Sequence, residues 1–183
     1  MSEEPQLTVD EILVLDCQAG SVPALEHLVT RWQKRLWRHA YSLTGDADGA
    51  WDVTQEAWLG ILRGIGRLDD PAKFPGWAFR IVTNKACDWV RRRRKSRPSE
   101  SWASQEQSSD NESQRSELAS DLNRILHRMP TDLRVVLSLH YLEGFGVAEV
   151  ARILCIPEGT VKSRLHAARA AFKGLWQPPG ERS

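Results

Sequence analysis

Apolar side chains recur every three or four residues along most of the chain, and no stretch alternates polar and apolar residues as a β-strand does. Helices are predicted in the N-terminal half over residues 8–19, about 22–43, about 46–63 and about 76–95. The signals at their ends agree, because Thr8 and Glu11 form a capping-box pair, Asp46 is a good N-cap, and Gly20 and Gly45 stop helices.

Four more helical segments are predicted in the C-terminal part of the chain. The first covers about 118–129, and the second follows the Met-Pro-Thr-Asp of 129–132. The last two form a pair joined by a three-residue corner at 155–157. The predicted fold class is therefore all-α. Between the two helical halves, residues 96–117 contain eight Ser and only Trp102 and Ala103 as apolar residues, a composition typical of a disordered linker.

These patterns divide the chain into five predicted parts. An acidic N-terminal helix (1–20) precedes a helical domain (21–95), a flexible acidic linker (96–117), a second small helical domain (118–176) and a tail (177–183). The formal charge is −5 for residues 1–20, +7 for residues 21–98, −4 for residues 99–117 and +3 for residues 118–183. Two basic blocks separated by acidic strips indicate two polyanion-binding modules on a tether, although ordinary fluctuation of charge along a soluble protein explains the totals equally well.

The last two helices have the outline of a DNA-binding helix-turn-helix. Val161, Leu165, Ala168 and Phe172 recur at helical spacing and are expected to face a core, as are the apolar residues of the preceding helix. The neighbouring face is basic, and its members can contact base edges or phosphates: Lys162, Ser163, Arg164, His166 and Arg169. The alternative is a helical hairpin with a solvated basic face.

Residues 130–172 resemble the promoter-binding C-terminal domain of bacterial sigma factors, particularly the extracytoplasmic-function (ECF) group of the sigma-70 family. The likeness depends on Pro130, Arg134, Leu137, Glu149, Ala151, the Gly-Thr-Val-Lys-Ser-Arg-Leu run at 159–165, Ala168 and Arg169. Response regulators carry a similar helix-turn-helix, so this likeness alone is moderately specific. It implies that the −35 promoter element is bound as duplex by Thr160, Lys162, Ser163, Arg164, His166 and Arg169.

The N-terminal half strengthens the resemblance. Residues 45–62 look like the family's core-binding helix, whose D-x-x-Q-E pattern falls at Asp52, Gln55 and Glu56. Residues 74–95 match its promoter-opening helix. The resemblance implies that Asp52, Gln55 and Glu56 bind the clamp coiled coil of RNA polymerase. It further implies that a second set contacts the single-stranded −10 element: Lys73, Phe74, Arg80, Asn84, Arg91 and Arg92.

Several positions have a structural interpretation as well as a functional one. Trp77 and Trp89 are expected to be packing residues more than stacking platforms. The basic run Arg91–Lys95 is expected to contact phosphates, and a solvated helix end is the alternative. The loop at 68–76 lies where the family has a pocket for a flipped base, although a simple turn is equally compatible. Trp51, Trp58 and Leu62 are expected beside the buried face of their helix.

The chain also departs from the family pattern at its corner. Cys155 stands where the family usually has Gly, so a left-handed backbone there would cost about 1 kcal/mol. Pro157 replaces a frequent Ser, which removes a side-chain cap, and Ala167 replaces a common Arg.

Motifs for catalysis, metal binding and membrane insertion are not found in the sequence, which limits the classes of function to consider. No P-loop or metal-ligand cluster is present, so no catalytic residue, metal or cofactor is expected. The three cysteines are far apart, the acidic start is not a signal peptide, and no apolar run is long enough to span a membrane, so a cytoplasmic location is expected. The hypothesis is a sigma factor that is not an enzyme, with core polymerase, promoter DNA and an anti-sigma factor as partners.

Two alternatives remain at this point. A stand-alone helix-turn-helix regulator with a sensing or dimerising N-terminal domain would bind duplex DNA without polymerase, at a two-fold symmetric site. An adaptor that does not bind DNA would use its basic faces for acidic partners. The N-terminal helix could pack on either module or on an inhibitor.

Overall fold

The computed structural model describes residues 7–96 and 122–176, and in those ranges every regular element is helical, as predicted. The helices are α1 (Val9–Gln18), α2 (Val22–Thr44), α3 (Ala47–Gly64), α4 (Phe74–Ser96), α5 (described over 122–128), α6 (Thr131–Leu137), α7 (Val147–Leu154) and α8 (Glu158–Leu175). Short 3-10 turns cover Ile65–Arg67 and Pro71–Lys73, and a π-helical turn, Ser138–Leu142, continues α6. The predicted linker, apart from Ser96, lies outside the described residues.

The predicted helix ends are found in the N-terminal module, which comprises α1 to α4. The Thr8 hydroxyl accepts from the backbone N–H of Glu11, whose carboxylate accepts from the N–H of Thr8, so the predicted capping box is present. Gly45 ends α2 in the left-handed region at φ 70°, and Asp46 caps α3 by accepting from the N–H of Gly49. These local bonds satisfy backbone groups that a helix end leaves unpaired.

The core of this module forms where α2, α3 and α4 pack on one another. Its buried members include Leu28, Trp32, Leu36 and Leu43 of α2, Val53, Ala57 and Ile61 of α3, and Ala78, Phe79 and Val82 of α4. Burial of each large side chain contributes roughly 1.5–3 kcal/mol relative to exposure. Two glycines of α3 let α4 approach closely, since a Cβ on Gly49 would lie 2.2 Å from the Trp89 ring and one on Gly64 would lie 2.8 Å from the Trp77 ring. Trp77 and Trp89 are therefore packing residues, as expected.

Trp51 and Leu62 differ from the expectation that they lie beside a buried face. Their side chains are 42% and 43% exposed, because α3 contacts α2 and α4 through Val53, Ala57 and Ile61 and presents its opposite side to solvent. Trp51 also leans on Trp37 of α2, at a ring-centroid distance of 5.7 Å. The apolar residues of α3 are thus distributed over two faces, and only one of them belongs to the core.

The C-terminal module, α5 to α8, is built around the helix-turn-helix. Val161, Leu165 and Ala168 of α8 are buried, together with Val150 and Ile153 of α7. Phe172, the fourth member of the predicted apolar stripe, is half-buried and stacks on Trp176 with ring centroids 5.8 Å apart. The spacing of the apolar residues therefore predicts the orientation of α8 correctly.

The two modules pack directly against each other, a contact that the sequence does not predict. Helix α7 lies on α4, and the π-helical turn and α6 contact α2. The rings of Phe79 and Phe145 meet edge to face with centroids 5.1 Å apart. Nearby, the Arg35 guanidinium donates to the Glu143 carboxylate at 3.0 Å and to its backbone carbonyl at 2.9 Å.

Two histidines lie at this contact between the modules. His39 of α2 is fully buried, with its ring nitrogens 2.9 Å from the Thr83 hydroxyl and 3.2 Å from the Ser138 hydroxyl. Burial, with a smaller contribution from the Arg35 charge, lowers the pKa of His39 to about 3. Burial and the Arg134 charge likewise lower the pKa of His127 to about 4. Both side chains are neutral at pH 7.

We expect acid to destabilise the fold through these histidines. Each takes up a proton near pH 6.5 when unfolded but only near pH 3 or 4 when folded, so the stability is complete above pH 6.5 and falls between pH 6.5 and 4. In that window each histidine lowers the free energy of unfolding by up to about 1.4 kcal/mol per pH unit. Denaturant titrations of the wild-type chain and of His127→Gln measure the two slopes.

The His127→Gln chain should show a shallower dependence of stability on pH than the wild-type chain. Equal slopes for the His127→Gln and wild-type chains between pH 6.5 and 5 would contradict the assignment.

Candidate nucleic-acid and partner-binding surfaces

The corner between α7 and α8 holds Cys155 in the left-handed conformation, at φ 53° and ψ 45°. Its N–H and that of Ile156 both donate to the carbonyl of Ala151, which closes the end of α7. Helix α8 then begins after Pro157, whose carbonyl accepts from Thr160 and Val161, and no side chain caps it. The corner thus has the predicted left-handed backbone at Cys155, and because Cys155 carries a side chain this conformation costs about 1 kcal/mol.

The outer face of α8 presents most of the predicted duplex-binding residues. Lys162, Ser163, His166 and Arg169 are exposed, whereas Thr160 and Arg164 are half-buried. The Arg164 guanidinium lies 3.7 Å from the Asp132 carboxylate, and Arg169 donates to the Tyr141 hydroxyl at 3.3 Å. Tyr141 is itself 51% exposed, so α8 and the π-helical turn together form a basic surface with an aromatic edge.

Helix α4 carries a second, strongly basic surface. Arg80, Asn84, Arg91 and Arg92 are all exposed, and 80, 84 and 91 lie on one side of the helix because they are separated by about one and two helical turns. A cleft of about 390 Å³ runs between this helix and α3, lined by Glu56, Lys85, Asp88, Arg91, Arg92 and Lys95. The four cations outnumber the two acids, so the cleft suits an anionic backbone.

The loop between α3 and α4 holds two predicted DNA-binding residues, Lys73 and Phe74, which differ in exposure. Lys73 is exposed and pairs with Asp70 at 3.1 Å, and its hydrogen bond lowers the pKa of that carboxyl. Phe74 is fully buried and packs edge to face on Trp32. Phe74 therefore has no surface to offer a ligand in this conformation, and its ring supports the loop from beneath.

A second cleft, of about 360 Å³, opens beside this loop. Its lining comprises Gly64, Arg67, Leu68, Asp69, Asp70, Lys73 and Trp77. The Trp77 ring forms an aromatic wall and Lys73 supplies a cation. The cleft has room for a planar ring and lies where the sequence allows either a pocket or a simple turn.

The predicted partner-binding residues of α3 differ in their surroundings. Asp52 and Gln55 are exposed, but Glu56 is half-buried and turned toward α4. Its carboxylate lies 3.1 Å from Lys85 Nζ and 3.9 Å from Arg92 Nη2. Glu56 thus belongs as much to the basic cleft as to the exposed face of α3.

Sequence reasoning missed two members of that exposed face. Leu59 and Leu62 are 52% and 43% exposed and follow Asp52 and Gln55 at steps of three, four and three residues, so all four side chains form one stripe along α3. We call these four residues the α3 stripe. The spacing from Asp52 is the available signal, although the apolar pattern of α3 predicts that Leu62 lies beside the core.

The described ranges hold no group of three or more His, Cys, Asp or Glu side chains that could bind a metal ion. None of their helices has the length and apolarity that crossing a membrane requires.

Comparison with known proteins identifies the two modules. Residues 28–96 match the family model of sigma-70 region 2, and residues 120–172 match that of sigma-70 region 4. The chain is 32% identical over 195 residues to the ECF RNA polymerase sigma-E factor of Escherichia coli K12, with 97% of this chain and 98% of that protein covered. It is 33% identical over 165 residues to the ECF sigma factor SigE of Mycolicibacterium smegmatis, with 84% of this chain and 62% of that protein covered.

A solved structure with the same fold is that of CnrH in complex with the cytosolic domain of CnrY. It has a TM-score of 0.71 and 27% identity, and the match covers 92% of this chain and 97% of that chain. Two sigma-70 regions in this order define a sigma-70-type transcription initiation factor. The chain belongs to the ECF family of RNA polymerase sigma factors and recognises promoters. The comparisons give no support to the stand-alone regulator.

We expect Cys155→Gly to stabilise the chain by about 0.5–1 kcal/mol, because glycine adopts φ 53° without the Cβ penalty. Thermal and denaturant unfolding measure the change. Ala170→Gly, at an exposed position within α8, should instead destabilise the chain by about the same amount. A Cys155→Gly chain less stable than wild type would contradict the strain at the corner.

Proposed function

We propose that the chain is a dissociable sigma subunit in which each module binds one promoter element. In this proposal residues 21–95 bind core polymerase and the −10 element, residues 118–176 bind the −35 element, and residues 96–117 connect them. The observation that carries the proposal is the match to both sigma-70 regions on one chain, with their basic faces exposed.

The −35 element is bound as duplex by α8. Lys162, Ser163, His166 and Arg169 point away from the core and can enter the major groove, where cations contact guanine edges and phosphates. Thr160 and Arg164 contribute from the edge of the same surface. Tyr141 holds Arg169 through its hydroxyl, which limits the freedom of the arginine before it meets DNA.

The −10 element is held as a single strand along α4. Arg80, Asn84, Arg91 and Arg92 line the path of the strand, where cations follow phosphates. A base extracted from the stack enters the cleft beside Trp77 and Lys73, against the aromatic wall. Extracting it costs a few kcal/mol of unstacking, which the phosphate contacts offset.

Core polymerase binds the α3 stripe. Asp52 and Gln55 supply the polar specificity, and Leu59 and Leu62 supply apolar contact area. Glu56 lies at the margin, where it can pair with the polymerase or with Lys85. An exposed stripe that combines acid, amide and leucine suits a partner helix with complementary basic and apolar residues.

The chain acts by binding and catalyses no reaction of its own, so promoter opening draws on the free energy of DNA and polymerase binding. Its place of action is the cytoplasm, where the transcription machinery lies. The similarity to CnrH, which is bound by the cytosolic domain of CnrY, supports control of this chain by an anti-sigma partner. A stress or envelope signal would then release it.

Removing the polar part of the α3 stripe should abolish polymerase binding and leave the fold intact. Asp52→Ala together with Gln55→Ala deletes two exposed side chains, which lowers affinity for core by about 100-fold or more if both are interface hot spots. Fluorescence anisotropy with purified core measures the affinity, and thermal unfolding monitors the fold.

The matched control is Glu26→Ala with His27→Ala, two exposed side chains on α2, which should bind core normally. Unchanged binding by the Asp52/Gln55 double variant would refute this docking surface.

The salt dependence of promoter binding tests α8. Lys162→Ala in the holoenzyme should weaken binding to −35 duplex, and for a phosphate contact the slope of log K against log salt should fall by about 0.9. Lys34→Ala, an exposed lysine on α2, should leave the slope unchanged. Equal loss in both variants would indicate a general charge effect and contradict the assignment. Specific duplex binding by the free chain, at a symmetric site, would favour a stand-alone regulator.

A further inference from the structure

Helix α1 contacts the loop that forms the cleft beside Trp77. The side-chain amide of Gln18, the last residue of α1, donates to the backbone carbonyls of Ile65 and Leu68 at 2.9 and 2.8 Å. Both partners are acceptors, so the nitrogen of the amide must face them, and each of its two hydrogens serves one bond. We call these two hydrogen bonds the Gln18 brace. They place the N-terminal helix on the N-terminal module, beside a candidate DNA-binding cleft.

The loop begins with a turn that is weak by itself. Ile65–Arg67 is a three-residue 3-10 turn, and the N–H of Leu68 closes it by donating to the carbonyl of Ile65 at 3.1 Å. The hydrogen-bond geometry of such turns is poorer than that of an α-helix. Leu68 also lines the cleft, so a shift of its backbone changes the shape of the cleft directly. The Gln18 brace therefore fixes one wall of the cleft from outside the loop.

Helix α1 can support the loop because it is itself anchored on α2. Val14 is fully buried, and the Asp10 carboxylate accepts from Arg31 Nε at 2.6 Å and from Trp32 Nε1 at 3.1 Å. Trp32 in turn packs edge to face on Phe74, the ring beneath the loop. The position of α1 is thus fixed by the same aromatic side chain that supports the loop from below.

The two ends of the loop are fixed in different ways. At the far end, the Asp70 carboxylate accepts from the N–H of Ala72 at 3.1 Å, and the Asp70 carbonyl accepts from the N–H of Lys73 at 3.0 Å. These bonds join neighbours in the sequence, whereas the Gln18 brace joins residues 47 and 50 positions apart. A substitution at Gln18 should therefore release the Leu68 end of the loop and leave the Asp70 end in place.

We propose that Gln18 is a positioning residue for base selection: by holding the carbonyls of Ile65 and Leu68 it sets the width of the cleft beside Trp77, and so decides which base fits there. Gln18 is not among the residues that line the cleft, so it acts through the loop. This inference rests on the proposed function for the identity of the ligand, an unstacked base of the −10 element. The Gln18 brace itself is a property of the free chain.

Amide hydrogen exchange of the full-length free chain tests the Gln18 brace. Gln18→Met keeps the length of the side chain and removes both donors, so the segment 65–70 should exchange about fivefold faster, the factor for one lost neutral hydrogen bond. Gln18→Lys keeps donors at a similar reach and should restore most of the protection. Gln33→Met, the same exchange at a half-buried glutamine of α2 that does not line the cleft, is the matched control and should leave the loop unchanged.

Base preference in the holoenzyme tests the role in recognition. A −10 element is selected from random DNA by the wild-type holoenzyme, and single strands with each base at each position are then titrated by fluorescence anisotropy. The position whose preference changes in Lys73→Ala identifies the base in the cleft. There, Gln18→Met should lower the ratio of the weakest to the tightest dissociation constant by at least about threefold. Loss of folded protein affects all bases equally and leaves this ratio unchanged, so the ratio separates positioning from stability.

Exchange of the loop in Gln18→Met at the wild-type rate overturns the Gln18 brace, and so does an equal effect of Gln33→Met or of Gln18→Lys. Faster exchange of the loop with an unchanged base ratio overturns the positioning role. Failure of the proposed function gives a different result: the wild-type holoenzyme selects no element, or no position responds to Lys73→Ala. Base selection by Gln18 then fails with it, while the exchange measurement still decides the Gln18 brace.

Discussion

The close packing of α2, α3 and α4 is the constraint on which the other features depend. Helix α2 buries a continuous apolar stripe against its two neighbours, and Gly49 and Gly64 let the Trp89 and Trp77 rings of α4 lie directly on α3. Because each helix gives one face to this core, the remaining faces are fixed in direction. The α3 stripe and the basic side of α4 therefore form adjoining, rigid surfaces on one small body.

Glu56 lies where those two surfaces meet. Its carboxylate is within ion-pair distance of Lys85 and Arg92, both of which line the basic cleft, while it follows directly after Gln55 of the α3 stripe. These side chains are substantially exposed, so each pair contributes little to stability, about 0–1 kcal/mol. Their importance is electrostatic: a partner that attracts Glu56 also changes the net charge of the basic cleft.

The C-terminal module combines a well-packed core with two costly features. Cys155 keeps a left-handed backbone at the corner, and Arg134 keeps a buried charge without an anionic partner in the described residues. The corner strain is local and leaves α8 correctly oriented. The buried charge acts at the boundary between modules, where Arg35, Glu143, His39 and Ser138 supply opposing, directional contacts. The contact between the modules thus combines specific hydrogen bonds with a desolvated cation.

The sequence alone determined the helices and their caps, because these depend on neighbours within four residues: Thr8 and Glu11, Gly45, and Asp46 behave as their local pattern predicts. It also determined the buried face of α8 and the family, since both follow from spacing and residue type. Only the tertiary structure decided which side of α3 faces solvent, that Phe74 is core whereas Lys73 is surface, and that Glu56 turns toward Lys85. It alone brought Arg35 to Glu143 across 108 residues. Such contacts depend on how whole helices pack, and helical periodicity defines a face of each helix without defining the partner that will cover it.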